Sequence, residues 1–362
     1  MTTPHRVRLH HALALLLMAS CGRAGLAKVI AVPADVPTIQ GAVEAAQHGD
    51  EILVAAGTWR ETIDLKGKTI VLRSAEGPQA TMLDGRGLKG SVLRCTGGES
   101  AETRIEGFTV TGGSGDVDAH GPEATIGGGL LVLGSSPVIV DCVFRENRVL
   151  LHGGAAYCGM NANPSFLGCT FDSNAAEKGG AVFNIRSNPR FSSCTFVRNL
   201  ADYGGGAVFN DRRCGPSFIA CRFDANEALY NGGAIYDYES RGSLSGCSFA
   251  RNTAAFKGGA VYSGYRSDTV MADCRFLTQT DDVAGRRGVT LSATMVHGAC
   301  CIGGGCIVAT RTDCENAGGA FSGEGTICET TVTSCPKTLH GDLNNDGSVD
   351  RVDMAVLMLL WK

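Results

Sequence analysis

The sequence predicts an all-β solenoid, a parallel β-helix, and three observations carry that reading. Between Pro137 and Phe276 a Cys-x-Phe element recurs as Cys142–Phe144, Cys169–Phe171, Cys194–Phe196, Cys221–Phe223, Cys247–Phe249 and Cys274–Phe276. The Cys-to-Cys steps are 27, 25, 27, 26 and 27 residues, and self-similarity at such a period marks a solenoid, propeller or array. The repeat is rich in Phe, Val, Ile, Thr, Gly and Asn and lacks a sustained 3.6-residue apolar period, so it is strand and turn. A unit of about 26 residues is too short for a four-stranded propeller blade. It fits one coil of three short strands, stacked on its neighbours at about 4.8 Å.

Stacking turns repeated residues into internal columns. Three are core columns: the cysteine, the phenylalanine after it, and the large apolar residue three positions before it (Ile139, Phe166, Phe191, Phe218, Leu244, Met271). Asn147, Asn174, Asn199, Asn226 and Asn252 follow the first five cysteines at five residues and suit a corner, where a side-chain amide bonds its own turn and the amide above. Gly153-Gly154, Gly179-Gly180, Gly205-Gly206, Gly232-Gly233 and Gly258-Gly259 suit a second corner that needs positive φ or close backbone approach. In-register cysteines point the same way, which disfavours the torsion of a disulfide. A reduced ladder of small buried hydrophobes is therefore expected there.

The remaining elements follow in chain order. Arg6 and Arg8 precede an apolar run from Ala12 to Ala19 and small residues through Ala27, so residues 1–27 read as a secretory signal peptide, too short to span a membrane. Residues 28–296 are assigned to the β-helix. Thr38 is placed as the N-cap of a short helix whose face of Ile39, Ala42, Val43 and Ala46 covers the open apolar end of the solenoid. Strands are expected at Glu51–Ala55, Thr69–Leu72, Val92–Cys95 and Arg104–Val110. The regular pattern starts at Gly128 and decays after Phe276, where Gln279 takes the asparagine place. Roughly nine to ten coils fit, a rod of about 45 Å.

Composition agrees. The chain of 362 residues holds 50 glycines, as a many-cornered coil demands. Its net charge of −4 with no basic run disfavours nucleic acid as a partner. Sixteen cysteines are too many for an ordinary cytosolic protein.

One outward file offers a ligand stripe. After each Gly-Gly-Ala comes an aliphatic and then an aromatic residue, and period two puts the pair on opposite faces. Tyr157, Phe183, Phe209, Tyr236 and Tyr262 would then line the outside, either as a surface for sugars or a partner, or as rings packed under a loop. Carboxylates are less promising. Asp172, Val197, Asp224 and Ala250 share one outward column, Asp141 and Asp273 are separated in another, and Asp281-Asp282 stand beyond the regular coils.

Residues 297–336 change character. Cys300, Cys301, Cys306, Cys314, Cys328 and Cys335 fall within 36 residues that hold almost no core residues. A small disulfide-stapled knot is expected, with fifteen connectivities open; a zinc site is the rival, without a Cys-x-x-Cys pair to support it. Residues 337–362 carry the sharpest motif. Asp342, Asn344, Asp346, Asp350 and Asp353 place side-chain oxygens at positions 1, 3, 5, 9 and 12 of a twelve-residue loop, with Gly347 at 6 and the carbonyl of Ser348 at 7. That is the donor set of a Ca²⁺ loop, and an apolar helix Met354–Trp361 follows it.

Several resemblances rest on these motifs. Met18-Ala-Ser-Cys21 resembles a bacterial lipoprotein box, which would leave a lipid anchor on Cys21. The Gly-Gly-Ala-aliphatic and Phe-x-x-Asn elements (Phe144 to Asn147 through Phe249 to Asn252) resemble the repeats of chlamydial polymorphic outer membrane proteins, which are surface adhesins. Pro37-Thr-Ile-Gln40 and Gly57-Thr-Trp59-Arg-Glu61 are similar to opening phrases of the pectin-lyase-like superfamily, which implies a right-handed helix. The Cys-rich module resembles short repeats in surface proteins of planctomycete-like bacteria. The calcium loop and its helix resemble one half of a type I dockerin, which implies a cohesin-like partner. Together these imply a protein secreted by a bacterium or held at its surface or outer membrane, working by adhesion or by binding carbohydrate or a surface protein. A polysaccharide lyase or another carbohydrate-active enzyme of the same fold is the alternative.

Overall fold

The computed structural model describes residues 27–118, 121, 124–277 and 283–285 in full. Beyond them it describes the backbone of strands Val289–Ser292, His297–Ile302, Gly305–Thr310 and Ala320–Glu324. The chain winds into a parallel β-helix of about ten turns, built on three long sheets. Sheet I has eleven strands, from Val29–Val32 to Val289–Ser292. Sheet II has nine, from Gly57–Trp59 to Arg275–Leu277, and sheet III nine, from Ile63–Asp64 to Val283–Gly285.

The coil has one more side than the three strands expected. A four-stranded sheet IV, made of Ala175–Lys178, Leu200–Gly204, Glu227–Ala228 and Thr253–Ala254, lies between sheets II and III. Its inward positions Ala176, Ala201 and Ala228 are buried alanines, small enough for the chain to run straight on before it turns.

The core columns form as read. Phe144, Phe171, Phe196, Phe223, Phe249 and Phe276 stand in register on sheet II. Phe171 and Phe196 stack at 4.7 Å and 5°, and Phe196 and Phe223 at 4.8 Å and 4°. A second file on sheet I, Phe166–Phe191–Phe218, stacks at 4.9 Å per step and meets the first edge-on at about 67–71°. Face-to-face contact along each file and edge contact between files satisfy the ring quadrupole, worth about 0.5–1.5 kcal/mol per pair beyond burial. The six column cysteines are buried free thiols. Cys169 Sγ lies 3.5 Å from the carbonyl oxygens of Ile139 and Leu167.

The asparagine column closes the corner after sheet II. Asn147 donates to Asn174 at 3.1 Å, Asn174 to Asn199 at 3.0 Å, Asn199 to Asn226 at 2.9 Å and Asn226 to Asn252 at 2.8 Å. The second N–H goes down to a carbonyl of the coil before, that of Val110 for Asn147 and of a phenylalanine for the other four, as from Asn199 to Phe171 at 2.9 Å. Each Oδ1 also accepts a backbone N–H from the preceding coil, as from Asn174 at 3.0 Å. The residues just before this column, including Ser173, Arg198 and Arg251, adopt left-handed backbone (φ 55°, 54°, 52°). At the glycine corner the two glycines have different reasons. Gly205 takes φ 65°, whereas a Cβ on Gly206 would sit 2.2 Å from the carbonyl oxygen of Gly233.

A further inward column, on sheet III, changes chemistry along the rod. Cys158, Asn184, Asn210, Asp237 and Ser263 are in register. Asn184 donates to Asn210 at 2.8 Å and Asn210 to Asp237 at 2.7 Å. Thr269 Oγ1 donates to the other oxygen of Asp237, which is fully buried. Desolvation pushes the Asp237 carboxyl above the usual carboxylate range.

The N-terminal cap is the helix Ile39–Ala45, with Thr38 accepting from Gly41 N at 3.1 Å and Ile39, Ala42, Val43 and Ala46 buried. Glu61 accepts from the amides of Ile39 and Gln40 at 3.1 and 3.0 Å. Lys68 Nζ donates to the carbonyls of Val43, Glu44 and Ala46 at 2.6–2.9 Å. Both helix ends are thus held by side chains of the first coils, where orphan amides and carbonyls need partners. The expected single stretch Arg104–Val110 divides at Gly107 (φ 72°) into strands Arg104–Glu106 and Thr109–Thr111 on sheets I and II.

Beyond the rod, His297–Ile302, Gly305–Thr310 and Ala320–Glu324 form a three-stranded antiparallel sheet that pairs Cys301 with Cys306 in backbone register. The side chains of Cys300, Cys301 and Cys306 lie outside the described residues, as do Cys314, Cys328 and Cys335 entirely. So do the calcium loop (Asp342, Asn344, Asp346, Ser348, Asp350, Asp353), Cys21 and nearly all of the signal segment.

Candidate ligand-binding site

The aromatic stripe exists, but most of it is not bare. Tyr157, Phe183, Phe209, Tyr236 and Tyr262 follow one another in register on the outer face of sheet III. Phe183, Phe209 and Tyr236 are nonetheless only 1%, 4% and 6% exposed. A second aromatic file supplies the cover. His152 stacks on Phe183 at 4.2 Å, and Tyr203 lies over Phe209 and Tyr236 at 6.4 and 6.2 Å. Lys178 Nζ sits 5.4 Å above the Tyr203 ring, within cation–π reach. Of the two readings of the stripe, these three rings follow the packed one. Burial pushes the Tyr157 phenol up to about 12 and that of Tyr236 higher still.

Of the covering residues, Tyr203 had a signal of its own. Leu151, Glu177, Tyr203, Tyr230 and Phe256 each stand two residues before a Gly-Gly pair. In the last three coils this column is aromatic, and its rings are 37%, 39% and 64% exposed.

Ring geometry decides where a ligand could be met. Tyr157, Phe183 and Phe209 stack at 5.5–5.6 Å and 17–18°, so their faces are used by one another. Tyr203 and Tyr230 are likewise stacked, at 5.2 Å and 21°. The sheet III file loosens first, where Phe209 and Tyr236 are tilted by 49°, and one coil on, neither file is stacked: Tyr230 and Phe256 are tilted by 53°, and Tyr236 and Tyr262 stand at 87°. A cleft of ≈ 680 Å³ lies here, which Tyr230, Asn231, Phe256, Lys257 and Tyr262 line with strand Val283–Gly285. Aromatic walls with an amide and an ammonium beside them suit a ligand with an apolar face and polar edges.

The carboxylates are arranged differently. On sheet II, Asp84, Thr111, Arg145, Asp172, Val197 and Asp224 follow one another along one outward column. Arg86 holds Asp84 at 2.9 and 3.1 Å and keeps its carboxyl below the usual range. Arg198 binds both oxygens of Asp172 at 2.7 Å, and Arg251 both of Asp224 at 2.6–2.7 Å. A general acid needs a raised pKa and a free proton path, and arginine opposes both. Asp141 and Asp273 occupy left-handed corners (φ 47°, 54°) five coils apart, so they form no pair. Asp281 and Asp282 lie outside the described residues. Among the described residues no group of three or more His, Cys, Asp or Glu could hold a metal, and no helix is long and apolar enough to cross a membrane.

No curated protein matches the chain. Among solved structures, a pectin methylesterase from carrot is 14% identical, with 74% of this chain and 89% of that one covered at a TM-score of 0.45. The deglycosylated pectin methylesterase of Aspergillus niger is 15% identical, with 75% and 87% covered at 0.39. A pectin methylesterase in complex with hexasaccharide VII is 12% identical, with 90% and 98% covered at 0.39. Residues 99–237 match the family model described as "Right handed beta helix region", and the rod is a right-handed parallel β-helix.

Proposed function

We propose that this chain is a secreted or surface-held β-helix protein that binds carbohydrate through the cleft at Tyr230, Phe256 and Tyr262. The observation that carries the reading is the coil of Phe256 and Tyr262, where neither aromatic file is stacked and Phe256 stands 64% exposed beside Lys257. A pyranose has the apolar face and hydroxyl edge that such walls take, and a surface protein presenting the same chemistry would dock equally well. In the cleaving-enzyme alternative, Asp84, Asp172 and Asp224 would have to leave their arginines. Calorimetric titration of the full chain with neutral and acidic oligosaccharides tests the idea. Phe256→Ala should weaken binding at least tenfold, about 1.4 kcal/mol. Binding that is absent in the parent, or unchanged in the variant, would sink it.

The calcium loop Asp342–Asp353 is proposed as a Ca²⁺-stabilised attachment segment for a cohesin-like partner. Ca²⁺ titration of the full chain should give one site that Asp342→Ala removes. A full chain that takes up no Ca²⁺ would overturn the assignment.

A further inference from the structure

The outer face of sheet II carries a second feature, separate from the aromatic cleft on sheets III and IV. Its three aspartates are each set among two arginines. Asp84 is met by Arg86 and, at 3.6 Å, by Arg60. Asp224 is met by Arg251 and, at 2.5 Å, by Arg222. Asp172 is held by Arg198, and its cross-strand neighbour is Arg145, whose Nε is buried without a hydrogen-bond partner. The carboxylates lie low, with Asp84, Asp172 and Asp224 at 1%, 26% and 5% exposed. The side chains of Arg60, Arg86, Arg198, Arg222 and Arg251 that meet them are 59–69% exposed.

Two consequences follow. Within these clusters six arginines meet three aspartates and Glu146, which lies near Arg86, a surplus of two positive charges in a chain whose total is −4, and Arg275 adds another on the same outer face. The clusters also lie in line along the rod, three coils apart and then two, about 14 and 10 Å at the coil spacing. A carboxylate beneath each fork fixes the guanidinium and leaves donors directed outward. Such forks match tetrahedral oxyanions bidentately. The described outward residues of this sheet between Thr81 and Leu277 include no aromatic ring to stack a base, so charge rather than stacking is what the face offers.

We infer that the outer face of sheet II is a docking strip for a polysaccharide bearing sulfate or phosphate esters, laid along the rod across the Asp84, Asp172 and Asp224 clusters. The partner is polymeric because no single cluster carries more than one surplus charge, and affinity accrues by spanning several.

Dextran sulfate and a phosphorylated dextran are the two probes, with polygalacturonate and plain dextran as carboxylated and neutral comparators. The informative variant is Arg60→Gln with Arg222→Gln, because Asp84 keeps Arg86 and Asp224 keeps Arg251. Binding of the preferred ester should weaken at least tenfold, and its dependence on salt should shallow by about two contacts, at an unchanged melting temperature. Arg190→Gln, on sheet I, and Phe256→Ala, in the aromatic cleft, should leave this binding as it is. The inference is overturned if neither ester binds at low salt, if polygalacturonate binds as tightly, or if Arg190→Gln weakens binding as much as the double variant. Loss through Phe256→Ala would assign the polymer to the cleft instead.

Discussion

Replacing Asn199 by alanine should cost about 4 kcal/mol of folding stability, a figure that can be worked bond by bond. The side chain accepts from the backbone N–H of Asn174 at 3.0 Å and from Asn174 Nδ2 at 3.0 Å. It donates to Phe171 O and Asn226 Oδ1, both at 2.9 Å. All four partners are buried, so water cannot replace what is lost. A net loss of about 1 kcal/mol per bond, with desolvated groups left behind, gives the total. Urea unfolding followed by far-ultraviolet circular dichroism would measure it. The midpoint should fall with the slope unchanged, because the surface exposed on unfolding is nearly the same. Asn163→Ala, at an exposed asparagine on the rod's flank, serves as the control and should stay within about 0.5 kcal/mol. A cost below about 1 kcal/mol for Asn199→Ala would refute the bond-by-bond reasoning and make the column a consequence of turn geometry alone.

Three further outcomes follow from the rod. Asp237→Asn should stabilise the fold at neutral pH. The raised carboxyl makes the folded state hold a proton that the unfolded chain releases, so its contribution is present below the unfolded pKa and lost as pH rises through the folded one. The unfolding free energy should therefore fall with rising pH above about 4 in the parent, by up to about 1.4 kcal/mol per pH unit, and the variant should lack that share of the slope in urea titrations; identical profiles would count against a neutral Asp237. The buried thiols should be silent to a thiolate-selective reagent in the native state at pH 8 and react on denaturation, since burial pushes Cys142 up to about 12 and Cys214 to about 11. Rapid native labelling of Cys142 would contradict this. Gly206→Ala should destabilise by about 1–3 kcal/mol through the Gly233 carbonyl only 2.2 Å from the new methyl, and a neutral effect in the same urea assay would show that the corner can open.

The parts of the fold legible in the sequence are those where one residue type does the same job in every coil. Phe, Cys and Asn columns repeat because a stacked ring, a small thiol and a ladder amide each need the same neighbour above and below. Other positions share geometry but not chemistry. Ser173, Arg198 and Arg251 adopt the same left-handed turn with unrelated side chains, so no column was visible there. Cys158 gives way to Asn184, Asn210 and Asp237 at one inward position because that stretch of interior is filled by hydrogen bonds rather than sulfur. The stripe at Phe183, Phe209 and Tyr236 faced outward as the alternation required, yet burial is decided by what arrives from elsewhere in the coil. Tyr203, Tyr230 and Phe256 were the missing half of the site, recorded in a column that only becomes aromatic in its last three members.

The asparagine ladder also fixes how such a rod can change length. Every amide points the same way, giving its hydrogen to the next coil and receiving one from the coil before. No rung carries information about its ordinal place. Excising residues 170–194 would bring Cys169 to Thr195 and leave phenylalanine over phenylalanine and asparagine over asparagine on either side of the seam. Whole coils are thus interchangeable units of insertion and loss, whereas half a coil would put an amide where a ring should be. The surface features that do not repeat, the tilted rings at Phe256 and the paired arginines, are what would distinguish one length variant from another.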